Sequence, residues 1–110
     1  MLLSSIDVRL EDDFRTAHIP GAINNCVFEV AFTERLANVA PQQASPTVVY
    51  GANSGSYEAR IAAEKLCKAG YAKVSEYRDG FTAWQAAGAP VSQGAPRPGR
   101  PRNSGWYPPH

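Results

Sequence analysis

The stretch Thr47-Val48-Val49-Tyr50-Gly51-Ala52-Asn53-Ser54-Gly55-Ser56, continued through Ala59, Ala62, Ala63 and Leu66 to Gly70-Tyr71, decides the fold. Thr47 to Tyr50 is a short β-branched and aromatic run that ends at a glycine, the pattern of a buried strand. The apolar residues that follow the loop fall at i, i+3, i+4 and i+7, which is one face of an α-helix. Ser56 stands where an N-cap belongs. Gly70 stands where a left-handed C-cap belongs, with Tyr71 positioned to pack back on Leu66 in the Schellman manner.

The same alternation extends outward. Toward the N-terminus, Leu2 to Val8 ends in apolar, β-favouring residues and predicts a strand. Glu11-Asp12-Asp13-Phe14 then places three carboxylates in the first turn of a short helix, where the macrodipole favours them. That helix must stop before Pro20, in a turn His18-Ile19-Pro20-Gly21-Ala22 that leads into a short strand at Ala22-Ile23-Asn24. Phe28 to Asn38 has roughly helical spacing and precedes a polar loop through Pro41 and Pro46. Toward the C-terminus, Lys73 to Tyr77 predicts a further strand, and Asp79-Gly80 turns into a last helix through Phe81, Ala83, Trp84 and Ala87 that ends at Gly88. Strands and helices that alternate with short linkers imply an α/β fold, a central mostly parallel sheet flanked by helices.

At 110 residues the chain holds one ordinary domain, expected over residues 1–91. From Ser92 the composition shifts to Gly, Pro, Arg and Ser, with five of the nine prolines, so residues 92–110 read as a disordered tail or linker. The net charge of +1 conceals a division. Residues 92–110 carry Arg97, Arg100 and Arg102 with no acid, and setting those three aside leaves eight basic against ten acidic groups in the body. A faintly acidic body offers no field for phosphate backbones, so no nucleic acid partner is expected. No apolar run approaches the roughly 18 residues of a membrane span, and Met1-Leu2-Leu3-Ser4-Ser5 lacks the form of a secretory signal, so the expected location is cytoplasmic. Cys26 and Cys67 are too far apart for a metal knuckle and are expected to be free. Neither a metal nor a cofactor is expected, and the oligomeric state is left open.

Four motifs in this order resemble a rhodanese-like domain: Ile6-Asp7-Val8-Arg9, His18-Ile19-Pro20-Gly21-Ala22, Val48-Val49-Tyr50 with its loop and helix, and Asp79-Gly80-Phe81-Thr82-Ala83-Trp84 running to Gly88-Ala89-Pro90-Val91. The resemblance covers roughly residues 3 to 91. It implies the rhodanese α/β fold, here without the first strand and helix that family members usually carry, and it points toward sulfur-related or stress physiology. In active members the strand that matches Val48-Val49-Tyr50 is followed at once by a cysteine, whose thiolate takes a sulfane sulfur and passes it on. Here the matching position is Gly51, which offers no nucleophile.

The departure reaches further. The family loop usually carries an arginine, yet Ala52 to Ser56 contains no basic residue and the nearest charge is Glu58. A carboxylate at the start of the helix would itself take the positive end of the dipole and repel an incoming anion. The helix also starts about two residues later than in the common short-loop version of the family. The expectation is therefore a catalytically inactive rhodanese-like module used in ligand or partner binding or in regulation. Gly51, Ala52, Asn53, Ser54, Gly55 and Ser56 would line the site and engage a protein partner or a small anion through backbone N–H groups. The plainer reading of the same six residues is a strand-to-helix turn capped by Ser56.

The rival is sulfur transfer through Cys26, Cys67 or a partner's thiol. Cys67, beside Ala63 and Leu66, is expected to be a small buried hydrophobe, and Cys26, in a loop, to be the more exposed of the two. His18 is expected to be a hydrogen-bonded structural residue rather than a general base, Asp7 and Arg9 to form a salt bridge, and Phe81 and Trp84 to pack on the sheet.

Overall fold

The computed structural model describes residues 4–94. Four strands and four helices alternate through it: β1 (Ser4–Asp7), α1 (Glu11–Thr16), β2 (Ile23–Asn24), α2 (Phe32–Val39), β3 (Thr47–Tyr50), α3 (Glu58–Lys68), β4 (Val74–Tyr77) and α4 (Gly80–Ala86). The sheet order is β2-β1-β3-β4, and all three pairings are parallel. Ile6 stands opposite Val49 and Asp7 opposite Tyr50, so side chains alternate between the two faces in step on both strands.

Each face is closed by its own core. Ile6, Val8 and Val49 pack against Phe32 and Leu36 from α2, Ala40 just after it, and Ala59, Ala62 and Leu66 from α3. On the opposite face Tyr50 packs with Phe14 from α1 and Phe81 from α4, flanked by Ile19, Tyr77 and Trp84. This division follows from connectivity. The chain leaves β1 toward one edge of the sheet but leaves β2 and β3 toward the other, and right-handed crossovers in opposite directions put their helices on opposite faces.

The central strand and helix follow the sequence reading closely. β3 spans Thr47–Tyr50, and α3 ends in the expected Schellman pair, with the Gly70 N–H donating to Cys67 O at 3.1 Å and the Tyr71 N–H to Leu66 O at 3.0 Å. Tyr71 joins the Leu66 core and donates its hydroxyl hydrogen to Ala40 O at 2.5 Å. Elsewhere boundaries move. β1 stops at Asp7, and Val8 and Arg9 continue as a loop, while Leu2 and Leu3 of the expected strand lie outside the described residues. α2 begins at Phe32 rather than Phe28, because residues 26–31 form two successive turns in which the Glu29 N–H donates to Cys26 O and the Phe32 N–H to Glu29 O.

Ser92, assigned to the tail by composition, pairs with His18 through two 2.8 Å backbone hydrogen bonds, and the Gly94 N–H donates to Arg15 O at 2.9 Å. These residues are fastened to the end of α1. The remainder of the expected tail, residues 95–110, lies outside the described residues.

Candidate functional site

In an open parallel sheet the crevice for a ligand lies where the strand order reverses, beyond the carboxyl ends of the two strands involved. Here that point falls between β1 and β3. The loop after β1 and the loop after β3 meet there, joined by the Val8 N–H, which donates to Tyr50 O at 3.1 Å.

Asp7 and Arg9 build the wall on the β1 side. Both are buried, and the guanidinium is held by Nε and Nη2 on the Asp7 carboxylate, with the shortest bond 2.7 Å. Arg9 Nη2 also donates to Ala17 O at 2.7 Å, which ties the end of β1 to the end of α1. The charge lies 4.3 Å from the Phe81 ring centroid, within cation–π reach. Burial opposes the Arg9 charge, but the hydrogen bonds and charge of Asp7 outweigh it, and the guanidinium pKa stands above its ordinary value. Burial raises the Tyr50 phenol far above its usual range, and the Asp7 charge adds to the effect. Tyr50 is thus a neutral group whose oxygen accepts from the Ile19 N–H at 3.1 Å. The ion pair expected of Asp7 and Arg9 is present, and its geometry is that of a scaffold.

α4 fixes the floor of the β3 loop. The Phe81 N–H donates to Gly51 O and the Thr82 N–H to Ala52 O, both at 2.9 Å. Gly80 makes this approach possible. Its φ is +77°, and a Cβ there would lie 2.6 Å from Asn53 N and 2.8 Å from Ala52 C, atoms of the loop backbone that cannot swing aside. With the carbonyls of Gly51 and Ala52 held from below, the Ala52 N–H is left to donate to a side chain.

Glu58 is that partner. Its Oε1 accepts from the Ala52 N–H at 3.2 Å, and the whole residue is buried although it carries a carboxylate. The side chain fills the volume next to Gly51. A Cβ on Gly51 would run into Glu58 Cγ and lie 2.9 Å from Cδ and 3.1 Å from Oε1. The rest of the loop is closed on itself. The Gly55 N–H donates to Asn53 Oδ1 at 2.8 Å, the Ser56 N–H to Asn53 O at 3.1 Å, and the Ser56 hydroxyl to Asn53 O at 2.9 Å. Ser56 is therefore not the helix cap that the sequence suggested. α3 begins two residues later at Glu58 with no side-chain cap, because the Ser56 hydroxyl is spent on closing the Asn53 turn.

The six expected site residues do come together as one loop, with Asn53, Ser54 and Gly55 exposed and Gly51 buried beneath Glu58. Neither thiol belongs to it. The expected burial of the two cysteines is reversed: Cys26 is buried and Cys67 exposed. The Asn25 N–H donates to Asp7 O and the Val27 N–H to Val8 O, which carries Cys26 inward alongside the end of β1. Cys67 lies beyond the 59–62–66 stripe of α3, about 14 Å along the axis from Glu58 at 1.5 Å per residue. His18 is structural, as expected. It is buried, stacked on Phe14 at 3.7 Å between ring centroids, and its Nδ1–H donates to Phe14 O at 2.8 Å. Trp84 meets Tyr77 edge-on and donates Nε1–H to Pro90 O at 2.7 Å, which folds the end of the body back onto α4.

Glu58 is the site residue whose position the sequence did not disclose. Its charge at the helix start was legible there, whereas its return into the space beside Gly51 depends on the path of the whole loop.

Comparison with known proteins gives a consistent picture. The sequence pattern of the Rhodanese-like domain family matches residues 2–87. The chain is 35% identical over 91 residues to an HTH-type transcriptional regulator of Mycobacterium tuberculosis, a match that covers 83% of this chain and 38% of that protein. It spans between 38% and 60% of the length of the curated relatives it matches. Among solved structures, a Rhodanese_3 like domain from Anabaena superposes with a TM-score of 0.73 at 27% identity, covering 90% of this chain and all of that one. A thiosulfate sulfurtransferase from Pseudomonas aeruginosa superposes with a TM-score of 0.70 at 28% identity over 86% of this chain and 18% of its own.

Proposed function

The chain belongs to the rhodanese-like domain family, and from that premise we propose that it is a module that binds or regulates and does not itself transfer sulfur. The observation that supports this most is the filling of the Gly51 position by Glu58. Sulfur transfer on this fold needs a low-pKa thiolate at the loop, activated by N–H groups and a helix N-terminus. In this chain the position has no side chain, its space is taken, and the inward N–H is committed to a carboxylate.

What remains accessible is the outer lip, Asn53, Ser54 and Gly55 with Tyr57, and we propose it as the contact for a protein partner. The match to a transcriptional regulator supports a regulatory setting, in which such a module accompanies another domain. The cytoplasm is the proposed location, since two unpaired thiols suit a reducing compartment.

The test is a thiosulfate–cyanide assay on the full chain and on Cys26→Ser and Cys67→Ser variants. Sulfur transfer would proceed by attack of a thiolate on the outer sulfur of thiosulfate with departure of sulfite, followed by transfer of that sulfur to cyanide to give thiocyanate. The expected result is no thiocyanate above the uncatalysed background in any of the three. Turnover that disappears in either variant would overturn the proposal and establish the rival reading.

A further inference from the structure

We propose that the outward face of α3, continuous with the lip of the β3 loop, is the docking surface for an acidic amphipathic helix of a partner protein. The inference rests on the reading of the chain as a binding module and gives its partner a chemistry. Tyr57, Ile61, Glu64 and Lys68 recur at i, i+4, i+7 and i+11, on the side of the helix opposite the buried Ala59, Ala62 and Leu66, and all four are exposed. The Ile61 N–H donates to Tyr57 O at 3.0 Å, so Ile61 stands one turn along from the lip. Arg60 and Lys65, also exposed, flank this line on either side.

The face joins an apolar pair to a basic field. Tyr57 is 73% exposed and Ile61 38%, one turn apart and both directed away from the core. Such a pair alone is ordinary on a protein surface. Its surroundings are not, because Arg60, Lys65 and Lys68 outnumber Glu64 by two, whereas residues 1–91 as a whole hold two more acids than bases. Among the described residues no ion pair joins any of these three cations to a carboxylate; the pairs present, Asp7–Arg9 and Glu29–Arg35, lie elsewhere. The helix dipole accounts for Lys65 and Lys68 in the last turn but opposes Arg60 in the first, so the dipole does not explain the whole set.

The order of groups along the face selects the occupant by charge complementarity. Apolar contact is offered first, at Tyr57 and Ile61, and cations follow at Lys65 and Lys68, all within about 16 Å, or three turns of helix. A partner helix laid along α3 matches this with apolar residues at one end and carboxylates over the next two turns, in the manner of helix-on-surface recognition through anchors at i and i+4. A nucleic acid or an anionic lipid surface is a poorer complement. Glu64 sits on the midline among the cations, where it repels a uniform array of phosphates, and two apolar side chains offer little to insert into a bilayer.

The test titrates the isotope-enriched full chain with a synthetic helical peptide that carries a pair of leucines one turn apart followed by a run of glutamates, and reads backbone amide shifts. The expected result is movement of Tyr57, Ile61, Lys65 and Lys68, with Phe14 and Trp84 on the opposite face of the sheet unmoved. Lys65→Gln combined with Lys68→Gln should weaken binding about tenfold, a few-fold for each exposed ion pair lost, while the amide spectrum shows the body still folded. Ile61→Asn should weaken it as well, and a peptide with glutamine in place of each glutamate should not bind. Absence of shifts on α3, shifts untouched by the lysine replacements, or equal binding of the glutamine peptide would overturn the proposal. Shifts confined to Asn53, Ser54 and Gly55 would overturn it too but leave the lip as a partner contact, whereas turnover in the thiosulfate–cyanide assay is what removes the module reading itself. Tighter binding of the same face to phosphatidylserine vesicles or to duplex DNA than to the peptide would overturn it by putting phosphates in the partner's place.

Discussion

Replacing Gly51 by Ala adds one methyl group to a position whose neighbouring space is already occupied. The backbone at residue 51 is not in the left-handed region, so the substitution carries no conformational strain, and its entire cost comes from the encounter with Glu58. The new Cβ would lie 2.9 Å from Glu58 Cδ and 3.1 Å from Oε1, well inside van der Waals contact. Two responses are open. Glu58 can stay, with an overpacking cost of about 1–3 kcal/mol. Alternatively it can swing out to water, which forfeits a charge-assisted hydrogen bond to the Ala52 N–H worth about 1.5–3 kcal/mol. Either way Gly51→Ala should destabilise the domain by about 2 kcal/mol, or about 10 °C in Tm for a domain of this size. The same substitution in a Glu58→Ala background should cost less than about 0.5 kcal/mol, because the obstacle has gone. Urea unfolding of the four proteins in this double-mutant cycle measures the difference. If Gly51→Ala costs the same in both backgrounds, Glu58 does not occupy the space beside residue 51, and the account of the filled site fails.

A thiol introduced by Gly51→Cys should remain a poor nucleophile, with a pKa at or above the ordinary value of about 8.5, because the Glu58 carboxylate opposes the thiolate. In Gly51→Cys combined with Glu58→Ala the pKa should fall, and the pH dependence of iodoacetamide alkylation reads both. Asp7→Ala leaves the buried Arg9 charge without its counter-ion and should cost about 3–5 kcal/mol, seen as a loss of the urea midpoint. Gly80→Ala combines a φ of +77° with a Cβ pressed against the backbone of Ala52 and Asn53, so it should destabilise the fold and shift the amide resonances of residues 51–56. At alkaline pH, Tyr50 holds its proton in the folded state while the unfolded chain releases it near pH 10. Stability is thus intact below pH 10 and falls above it by about 1.4 kcal/mol per pH unit for this group, a slope that Tyr50→Phe should remove.

The parts of the fold that were legible in the sequence are those where local pattern and tertiary demand agree. β3 is short, β-branched and buried, and the apolar stripe of α3 carries the correct period with a glycine cap, so the strand and the end of the helix were found. The start of α2 was not, because Phe28, Val30 and Ala31 continue an apolar spacing whose backbone is folded into turns, and Val30 points to water. Burial of the cysteines was misread for a related reason. Cys67 sits on the shoulder of the α3 stripe, where a one-residue rotation changes inside to outside. Cys26 is carried inward by backbone pairing with the end of β1, which leaves no mark in side-chain periodicity. At the site, the missing thiol and the lone acid were both readable, but their relation was not. It takes the loop from Gly51 to Tyr57 to bring residues seven apart into the same volume.

That relation explains how the loop keeps its form with no side chain at residue 51. The elements that would position a reacting group are all in place: α4 holds the loop carbonyls through Gly51 and Ala52, and Arg9, clamped by Asp7, supports the adjoining β1 loop. Such a frame directs the Ala52 N–H toward a position where negative charge belongs. A bare glycine there would leave a void and an inward donor, both of which carry a cost in a packed interior. Glu58 removes both at once, since its methylenes fill the space and its Oε1 accepts the N–H. The bare backbone at residue 51 and the carboxylate arriving from α3 therefore act as one packed unit. On the proposed reading, neither substitution alone installs a reactive thiol at residue 51, because Gly51→Cys meets the Glu58 carboxylate and Glu58→Ala brings no thiol.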